Sequence, residues 1–311
     1  MRIRNFKAEK DLDRLEAFLR NRYYESHNTV SWLPERLHDL LYRVSALEED
    51  EQREKSMDYV FLWEENEEIV ACILPDGDNI YLSIRNGFEQ ILPSMIAFGE
   101  RNCLPLFAKA DNGTVKLWFA ISDSLTYAQK TLTELGYKKY AEEEYANCIY
   151  PMKTNAAVEL PCGYRFLYGE EYPDEINKWT ALRMGFHPDY ETTDYVVSMN
   201  PYIRRKKSSL YKDSFECIVA YENSAEKNNV CAYCFVYIDK PTKTALIEPV
   251  STREKYRHKG IGTALLHGAV KRCKTLGIEK CYVNSFGWRK DFYISAGFLT
   301  ESSVGFWYKE L

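Results

Sequence analysis

The sequence contains no apolar run long enough to span a membrane, and its first residues, MRIRNFKAEKDLDRLEAF, lack the apolar core of a signal peptide. It also lacks a basic excess, since 41 Lys and Arg against 46 Asp and Glu give a formal net charge of −5 at pH 7. General nucleic-acid binders usually carry a positive excess. We therefore expect a cytoplasmic protein that binds neither nucleic acid nor membrane. With 45% hydrophobic and 28% charged residues in 311, the composition is that of a globular protein with one large domain or two ordinary ones.

The paired cysteine and histidine ligands of a structural zinc site are missing as well. Nine cysteines are scattered along the chain, and Cys231 and Cys234 form a CxxC within NVCAYCFVYI, which is predicted to be a strand. Side chains three positions apart on a strand point to opposite faces, and no second CxxC or HxxxH lies nearby. We expect no bound metal, and buried, reduced thiols typical of a reducing compartment.

Both halves of the sequence repeat one order of predicted elements: hairpin, strand, helix, strand, helix and a glycine–aromatic pair. The hairpins are YVFLWEENEEIVACIL and FECIVAYENSAEKNNVCAYCFVYI, and the pairs lie at 136–137 and 297–298. Proline and glycine punctuate a stretch without periodicity at 151–163. We predict an internal duplication with two α/β domains, 1–152 and 153–311. The alternative is one large α/β domain whose halves are alike by coincidence.

The segment YRHKGIGTALLHGAVKRC combines a basic loop, two glycines and a predicted amphipathic helix, and it follows the predicted strand TALIEPV. Apolar residues recur at every fourth position on one face of that helix: Ile261, Leu265, Ala269 and Cys273. Gly260 and Gly262 have no Cβ, so a ligand can approach the backbone, and the first N–H groups of the helix carry the positive end of its dipole. Basic side chains crowd the same entrance: Arg253, Lys255, Arg257, His258 and Lys259. These features together indicate a site for a diphosphate group.

Two familiar diphosphate loops fit this segment poorly. A Walker A loop needs a lysine and a hydroxyl directly after its last glycine, but Thr263 and Ala264 follow Gly262. A dinucleotide fingerprint needs a third glycine where Leu265 stands, and it opens a domain instead of lying late in the chain. A nucleotide-binding oxidoreductase, which predicts affinity for a nicotinamide cofactor, is therefore the weakest of three functional hypotheses.

The pattern R-x-x-G-x-G, formed by Arg257, Gly260 and Gly262, resembles the acyl-CoA loop of the GNAT N-acetyltransferase superfamily. ALIEPVSTREKYRHKGIGTALL resembles that family's fourth strand, loop and third helix. DFYISAGF resembles its closing segment, in which a tyrosine, here Tyr293, precedes a glycine–phenylalanine pair by four residues. The resemblance is good over 215–311 and loose over 155–214. It implies an α/β (α+β) fold of two tandem GNAT-like domains, each a mixed, largely antiparallel sheet flanked by helices.

The resemblance further implies acyl transfer from acetyl-CoA to an amine by direct attack. Tyr293 would protonate the departing thiolate, and Glu248 would accept the proton of the attacking ammonium. The implied cofactor-binding residues are Val250, Thr252, Arg257, His258, Lys259, Gly260, Ile261, Gly262, Thr263 and Asn284. Phe286 stands where the family often carries an asparagine, which puts the contact expected of Asn284 in doubt. Structural alternatives are a core-packing role for Tyr293 and a pairing of Glu248 with backbone or an arginine.

The first half lacks this chemistry. Its corresponding loop, SIRNGFEQIL, offers one glycine and a glutamate, and Leu132 stands where a tyrosine would precede Gly136. We predict that this half does not bind CoA productively and that it shapes the acceptor site or steadies the active half. The expected partner is a small-molecule or peptide amine, and the protein is expected to be a monomer or homodimer. The second hypothesis is a non-catalytic acyl-CoA-binding or scaffold protein on the same fold.

Overall fold

A computed structural model describes residues 1–27, 29, 32–42, 57–191, 198–222 and 228–311 of the chain. The strands in these ranges are β1 (Arg2–Asn5), β2 (Phe61–Glu65), β3 (Glu68–Asp76), β4 (Asn79–Ile84), β5 (Lys116–Ser122), β6 (Lys138–Tyr150), β7 (Tyr164–Tyr168), β8 (Glu216–Tyr221), β9 (Val230–Asp239), β10 (Thr244–Thr252), β11 (Lys280–Phe286) and β12 (Leu299–Glu310). The helices are α1 (Ala8–Ser26), α2 (Pro34–Tyr42), α3 (Leu92–Asn102), α4 (Thr126–Glu134), α5 (Glu175–Phe186), α6 (Asn200–Arg205), α7 (Ile261–Thr275) and α8 (Gly287–Ser295).

These strands form one sheet in the order β1-β2-β3-β4-β5-β12-β6-β11-β10-β9-β8-β7. In it, β4 pairs with β5 and β10 with β11 in parallel, whereas the other described pairs are antiparallel. The last strand of each half is exchanged. Strand β6 lies between β12 and β11, and β12 lies between β5 and β6. The halves are therefore joined through the middle of a continuous sheet.

The predicted element order is present in both halves. Each hairpin, β2–β3 and β8–β9, is followed by strand, helix, strand, helix and strand. Gly136 and Gly297 have φ values of +84° and +90° directly after α4 and α8, as expected of glycines that end helices. The predicted class, a mixed, largely antiparallel sheet flanked by helices, is confirmed. The division into domains 1–152 and 153–311 stays a prediction.

The helix that follows the glycine loop packs as its sequence pattern predicts. Each of Ile261, Leu265, Ala269 and Cys273 is at most 1% exposed, and the four contribute to the core on one face of the second half's strands. All nine cysteines are free and only Cys162 is exposed. In the described ranges, no cluster of three or more His, Cys, Asp or Glu side chains is arranged to hold a metal ion. None of the helices in those ranges has both the length and the apolarity needed to cross a bilayer.

A buried polar seam joins the first two helices to the second half of the chain. Arg20 on α1 donates to both carboxylate oxygens of Asp239 on β9, at 2.8–3.2 Å. His38 on α2 lies between Glu16 Oε1 and Ser208 Oγ, each 2.7 Å from a ring nitrogen. Because each of these groups is satisfied by a specific partner, the seam fixes how α1 and α2 lie on the sheet.

Glu35 is the exception in this seam. It is fully buried, and its Oε1 accepts a hydrogen bond from the Thr244 hydroxyl. Its Oε2 has no hydrogen-bond partner within the described ranges. Burial, with a contribution from the negative charge of Asp239, raises the pKa of Glu35 from its ordinary 4.5 to about 8. The carboxyl group therefore keeps its proton at neutral pH in the folded protein.

This shift predicts a pH-dependent stability. Between pH 4.5 and about 8, the unfolded chain releases the Glu35 proton while the folded chain keeps it. The free energy of unfolding should then fall with rising pH, by up to about 1.4 kcal/mol per pH unit from this group. Glu35→Gln should remove that part of the slope in urea titrations at pH 5, 6, 7 and 8. Glu9→Gln, an exposed site on α1, is the control, and an unchanged slope in Glu35→Gln would contradict the assignment.

Candidate active site

The glycine loop lies between the end of β10 and the start of α7. A 3₁₀ turn at Glu254–Tyr256 leads to Gly260, the N-cap of α7, which has φ +76°. The helix begins with a hydrogen bond from Ala264 N to Gly260 O, at 3.0 Å. Within the part of the chain that the structure describes, the backbone N–H groups of residues 258–263 have no protein acceptor. These six donors lie at the positive end of the helix dipole and form a cradle for an anion.

The cradle is open because of its glycines. A Cβ built on Gly260 would meet nothing within 4 Å, so the backbone there faces free space. A Cβ on Gly262 would meet the Phe292 ring at 3.1 Å and Thr252 Oγ1 at 3.3 Å, so this glycine permits the close approach of α8 to α7. Gly260 thus leaves the backbone of the loop accessible to a ligand, and Gly262 lets α8 pack closely against α7.

The two arginines at the loop brace it instead of pointing outward. Arg253, only 3% exposed, donates from Nη1 to the carbonyl of Val230 at 3.1 Å. Arg257 donates from Nε to Thr252 O at 3.0 Å and from Nη2 to Gly185 O at 2.7 Å, which ties the loop to α5. The positive charge stays at the entrance, but the hydrogen bonds of Arg257 go to the protein backbone.

Strands β10 and β11 part next to this loop. Their parallel pairing ends at Leu246 and Tyr282, and a bulge that contains Glu248 and Pro249 follows in β10. From there β10 stays paired with β9 as far as Thr252, while β11 stays paired with β6 to its end. A gap therefore opens through the sheet between two strands that begin as neighbours.

The strand register assigns side chains to the two faces of this gap. Residues directly opposite in a ladder share a face. Val250 lies opposite Cys234, on the α7 face, and Tyr282 lies opposite Leu246, on the α2 face. Tyr293 on α8 comes from the first face and Arg36 on α2 from the second. The charge of Glu248, in the bulge, acts on both of them.

Tyr293 lies in an apolar environment on the α7 face of the gap. It is half-buried, and its ring packs edge-on against Phe298 with 5.9 Å between centroids. Burial, reinforced by the negative charge of Glu248, raises the pKa of Tyr293 above its ordinary value. The hydroxyl therefore keeps its proton at neutral pH.

Glu248 forms an arginine pair across the two halves. Its Oε2 lies 3.3 Å from Arg36 Nη1, and its side chain remains 34% exposed. The other end of the guanidinium donates from Nη2 to Asp76 Oδ2 at 2.5 Å, and Asp39 Oδ2 is 4.0 Å from Nη1. The structural alternative considered for Glu248, a pairing with an arginine, is thus present. This ion pair leaves the Glu248 carboxylate at the edge of the gap.

A cleft adjoins this ion pair on the α2 face. It is narrow, with about 30 Å³ accessible to the centre of a water molecule. Both halves line it, with residues that include Trp32, Arg36, Tyr81, Tyr145, Tyr282 and Asn284. Sequence reasoning did not find Arg36, Asp76, Tyr81, Tyr145 or Tyr282 as site residues, because they belong to no local motif and meet through helix packing and strand exchange.

Asn284 lies in this cleft and not at the glycine loop. Its side-chain amide donates to Asn147 Oδ1 on β6, and Asn147 donates in turn to Thr29 O at 3.1 Å. Its contact with a cofactor stays a prediction. The other predicted cofactor-binding residues lie together along β10 and the loop: Val250, Thr252, Arg257, His258, Lys259, Gly260, Ile261, Gly262 and Thr263. The side chain of Ile261 is buried, so only its N–H faces the cradle.

Comparisons with known proteins agree with this geometry. The Acetyltransferase (GNAT) family model matches residues 176–298. Residues 176–298 therefore carry a GNAT-family domain. No curated protein sequence matches the chain.

Solved structures extend the similarity to the whole fold. A GCN5-related N-acetyltransferase from Sphaerobacter thermophilus aligns at TM-score 0.62 and 14% identity, over 99% of this chain and 95% of its own. A tandem GNAT protein from the clavulanic acid biosynthesis pathway aligns at TM-score 0.63 and 11% identity, over 99% and 98%. A GNAT-family acetyltransferase from Colwellia psychrerythraea aligns at TM-score 0.57 and 12% identity, over 99% of this chain and 100% of its own. The predicted GNAT resemblance is confirmed, and the first half shares the tandem fold.

The first half carries a different loop at the position that corresponds to the GNAT loop of the second. The carboxylate of Glu89 accepts the N–H of Gly87 at 2.9 Å, and Phe88 N donates to Arg85 O at 3.1 Å. Donors that are left free around Gly260 are thus used internally here, in part by a side chain that carries negative charge itself. Leu132, at the position of the missing tyrosine, is fully buried in the core.

The bracing role of Arg257 can be tested apart from any ligand. Arg257→Gln should lower the free energy of unfolding by about 1 kcal/mol, because the two hydrogen bonds of the guanidinium are lost from a largely exposed site. It should also speed amide hydrogen exchange in residues 253–263. Lys271→Gln, an exposed cation on α7, is the control for lost charge. Equal stability of the two variants would show that Arg257 does not hold the loop.

Proposed function

We propose that the protein is an acetyl-CoA-dependent N-acetyltransferase with one active half, the second. The observation that carries this proposal is the row of six free backbone donors at residues 258–263, beside a gap in the sheet that holds Glu248 and Tyr293. A diphosphate fits these donors, since its oxygens accept several N–H bonds and its charge suits the helix dipole. The open space at Gly260 leaves room for it.

The residues of this chain would then have three roles: binding the cofactor, placing the two reactants and transferring protons. The cradle at residues 258–263 holds the diphosphate, while the backbone of Val250 and Thr252 guides the pantetheine arm into the gap. The acetyl thioester lies in the gap with the acceptor amine on the other face. The nitrogen attacks the acetyl carbon, a C–N bond forms and the C–S bond breaks. The amine's proton passes to Glu248, and the departing sulfur receives the proton of Tyr293.

The two catalytic side chains have environments suited to opposite tasks. Tyr293 is kept protonated by burial and by the charge of Glu248. Glu248 is paired with Arg36, whose positive charge favours an ionised carboxylate. A group proposed to donate a proton and one proposed to accept it therefore lie at the same gap.

Thr263→Glu tests the cradle without weakening the helix. Position 263 is the third residue of α7, where a carboxylate favours the helix dipole by about 0.3–1 kcal/mol. The same charge would repel a diphosphate and could cap the free donors, much as Glu89 does in the first half. Isothermal titration should give one acetyl-CoA per wild-type chain and at least about a hundredfold weaker binding in the variant.

Thr263→Gln is the matched control, with the same shape and no charge, and should keep binding within a few fold. Thermal unfolding of all three proteins checks the fold. Binding that survives in Thr263→Glu would place the cofactor elsewhere, and a second binding event that survives there would place it in the first half. A wild type that ignores acetyl-CoA would remove the proposal.

Substitutions at the gap test catalysis separately from binding. Glu248→Gln should lower kcat about a hundredfold or more and remove the acidic limb of the pH profile of kcat/KM. Tyr293→Phe should lower kcat about tenfold or more, and both variants should bind acetyl-CoA like the wild type. Glu254→Gln and Tyr221→Phe are the controls. If acetyl-CoA binds but no amine is acetylated by the wild type, the protein is the non-catalytic acyl-CoA-binding alternative.

A further inference from the structure

Arg36, on α2 in the first half, reaches the proposed base of the second half. Its Nη1 lies 3.3 Å from Glu248 Oε2, in the bulge of β10. Its Nη2 donates to Asp76 Oδ2 at 2.5 Å, at the end of β3, and Nη1 is 4.0 Å from Asp39 Oδ2, one turn along α2. One guanidinium of the first half therefore lies between a carboxylate of each half.

The backbone that carries Arg36 is itself held on the second half. The preceding residue, Glu35, is fully buried and accepts a hydrogen bond from the Thr244 hydroxyl of β10, the strand that contains Glu248. Two residues after Arg36, a ring nitrogen of His38 lies 2.7 Å from a serine hydroxyl of the second half. Because these bonds fix α2 on both sides of Arg36, its approach to Glu248 does not depend on the attraction of the two charges alone.

The two carboxylates hold the guanidinium unequally. The contact with Asp76 is the shorter one, and Asp76 is only 7% exposed, whereas the Glu248 side chain is 34% exposed. Burial lowers the pKa of Arg36, but its anionic neighbours, Asp76 first among them, raise it well above the ordinary value. The guanidinium is therefore a fixed positive charge, and Asp76 still holds it in place when Glu248 takes up a proton.

This sharing of the guanidinium determines how strong a base Glu248 can be. An arginine that is close to a carboxyl group lowers the pKa of that group by about 1–3. A base whose pKa lies far below the working pH accepts protons poorly. The negative charge of Asp76 opposes the positive charge of Arg36 at Glu248. Arg36 thus fixes the carboxylate, and Asp76 limits how far the arginine weakens it as a base.

The other titratable groups that face Glu248 are hydroxyls. Its charge acts on three tyrosines, one each from β6, β11 and α8: Tyr145, Tyr282 and Tyr293. Burial raises the pKa of each hydroxyl above its ordinary value, so all three stay neutral near neutral pH. These tyrosines therefore add no charge that could imitate the effect of Arg36 on Glu248.

We propose that Arg36 and Asp76 are positioning residues for the acetyl transfer: Arg36 fixes the Glu248 carboxylate at the gap, and Asp76 holds the guanidinium and keeps the carboxylate basic. Both act through Glu248 and need no contact with a reactant. The active site of the second half is therefore incomplete without the first half, which supplies the charges that set its base. This inference rests on the proposed function for the step that Glu248 performs, but not for the coupling among the three side chains.

Opposite shifts of the pH profile test this proposal. Steady-state kinetics of the full-length protein with acetyl-CoA and a panel of tyramine, putrescine and glycine amide give kcat/KM, and the limb of interest is the acidic one that Glu248→Gln removes. Arg36→Gln should move that limb to higher pH by about one unit or more, because the carboxylate loses a neighbouring cation. Asp76→Asn should move it to lower pH by about half a unit or more, because the charge of Arg36 is then less opposed. The KM for acetyl-CoA should not change in either variant.

The protonation of Glu248 can also be measured without any reaction. In the full-length protein labelled with carbon-13 at the glutamate carboxyl groups, the NMR signal that disappears in Glu248→Gln belongs to Glu248. Its titration should shift upward in Arg36→Gln and downward in Asp76→Asn. A merely structural defect would move both variants in one direction or neither of them, so shifts of the same sign, or no shifts, would overturn the proposal.

Arg36→Lys separates charge from geometry. It keeps the cation, so its acidic limb should stay closer to that of the wild type than the limb of Arg36→Gln, but an ammonium group lacks the fork that spans both carboxylates, so kcat should fall. Arg85→Gln and Asp78→Asn, an exposed cation and an exposed carboxylate of the first half, should change neither. Thermal unfolding checks each fold. If Arg36→Gln does not fold, Asp76→Asn decides, and an unmoved limb there would overturn the proposal.

The two measurements distinguish failure of this inference from failure of the proposed function. If the wild type acetylates no amine but the Glu248 signal shifts in the two expected directions, the proposed function fails and the coupling through Arg36 and Asp76 stands. If the wild type acetylates an amine and neither the limb nor the signal shifts, only this inference fails.

Discussion

The antiparallel pairing of β6 with β11 is the constraint on which the rest of the site depends. Because β11 stays with β6 beyond Tyr282, it cannot follow β10, and the gap between β10 and β11 opens. The same pairing carries Tyr145 and Asn147, which belong to the first half in sequence, to positions beside Phe286 and Asn284. One exchange of strands therefore opens the gap in the sheet and also supplies part of the wall of the cleft on the α2 face. The first half contributes to the site without a cradle of its own.

The two halves share one topology, but the backbone N–H groups of their corresponding loops are bonded differently. Strands β4 and β5 are parallel neighbours, as β10 and β11 are, and each pair is paired only over two or three residues. In the second half the donors at the following helix remain free, whereas in the first the carboxylate of Glu89 takes up an N–H of the loop. Two loops of one topology can thus differ in their free backbone donors while the elements around them are the same. The difference between the two loops is electrostatic and local, because the carboxylate of Glu89 alone accepts an N–H of the first loop.

The sequence predicts those parts of the molecule that depend on short-range patterns. The hairpins, the buried face of α7 and the loop at Gly260 follow from residues within a few positions of one another. The role of Arg257 shows the limit: its charge is evident in the sequence, but its bonds go to Gly185, 72 residues away. Arg36, Asp76 and Tyr282 meet through helix packing and strand exchange, which no local pattern encodes. The position of Asn284 likewise follows from the pairing of β11 with β6, which places it opposite Asn147.

The two faces of the gap in the sheet carry different groups. On the α7 face, backbone donors and cations around residues 253–263 suit a diphosphate, which is strongly negative. On the α2 face, the Arg36 guanidinium lies 2.5 Å from Asp76, 3.3 Å from Glu248 and 4.0 Å from Asp39. Glu248 lies at the bulge where the gap begins, with Arg36 on one side and Tyr293 within the reach of its charge on the other. In the acetyl transfer that we propose, the proton taken by Glu248 and the proton given by Tyr293 would therefore need no shared path.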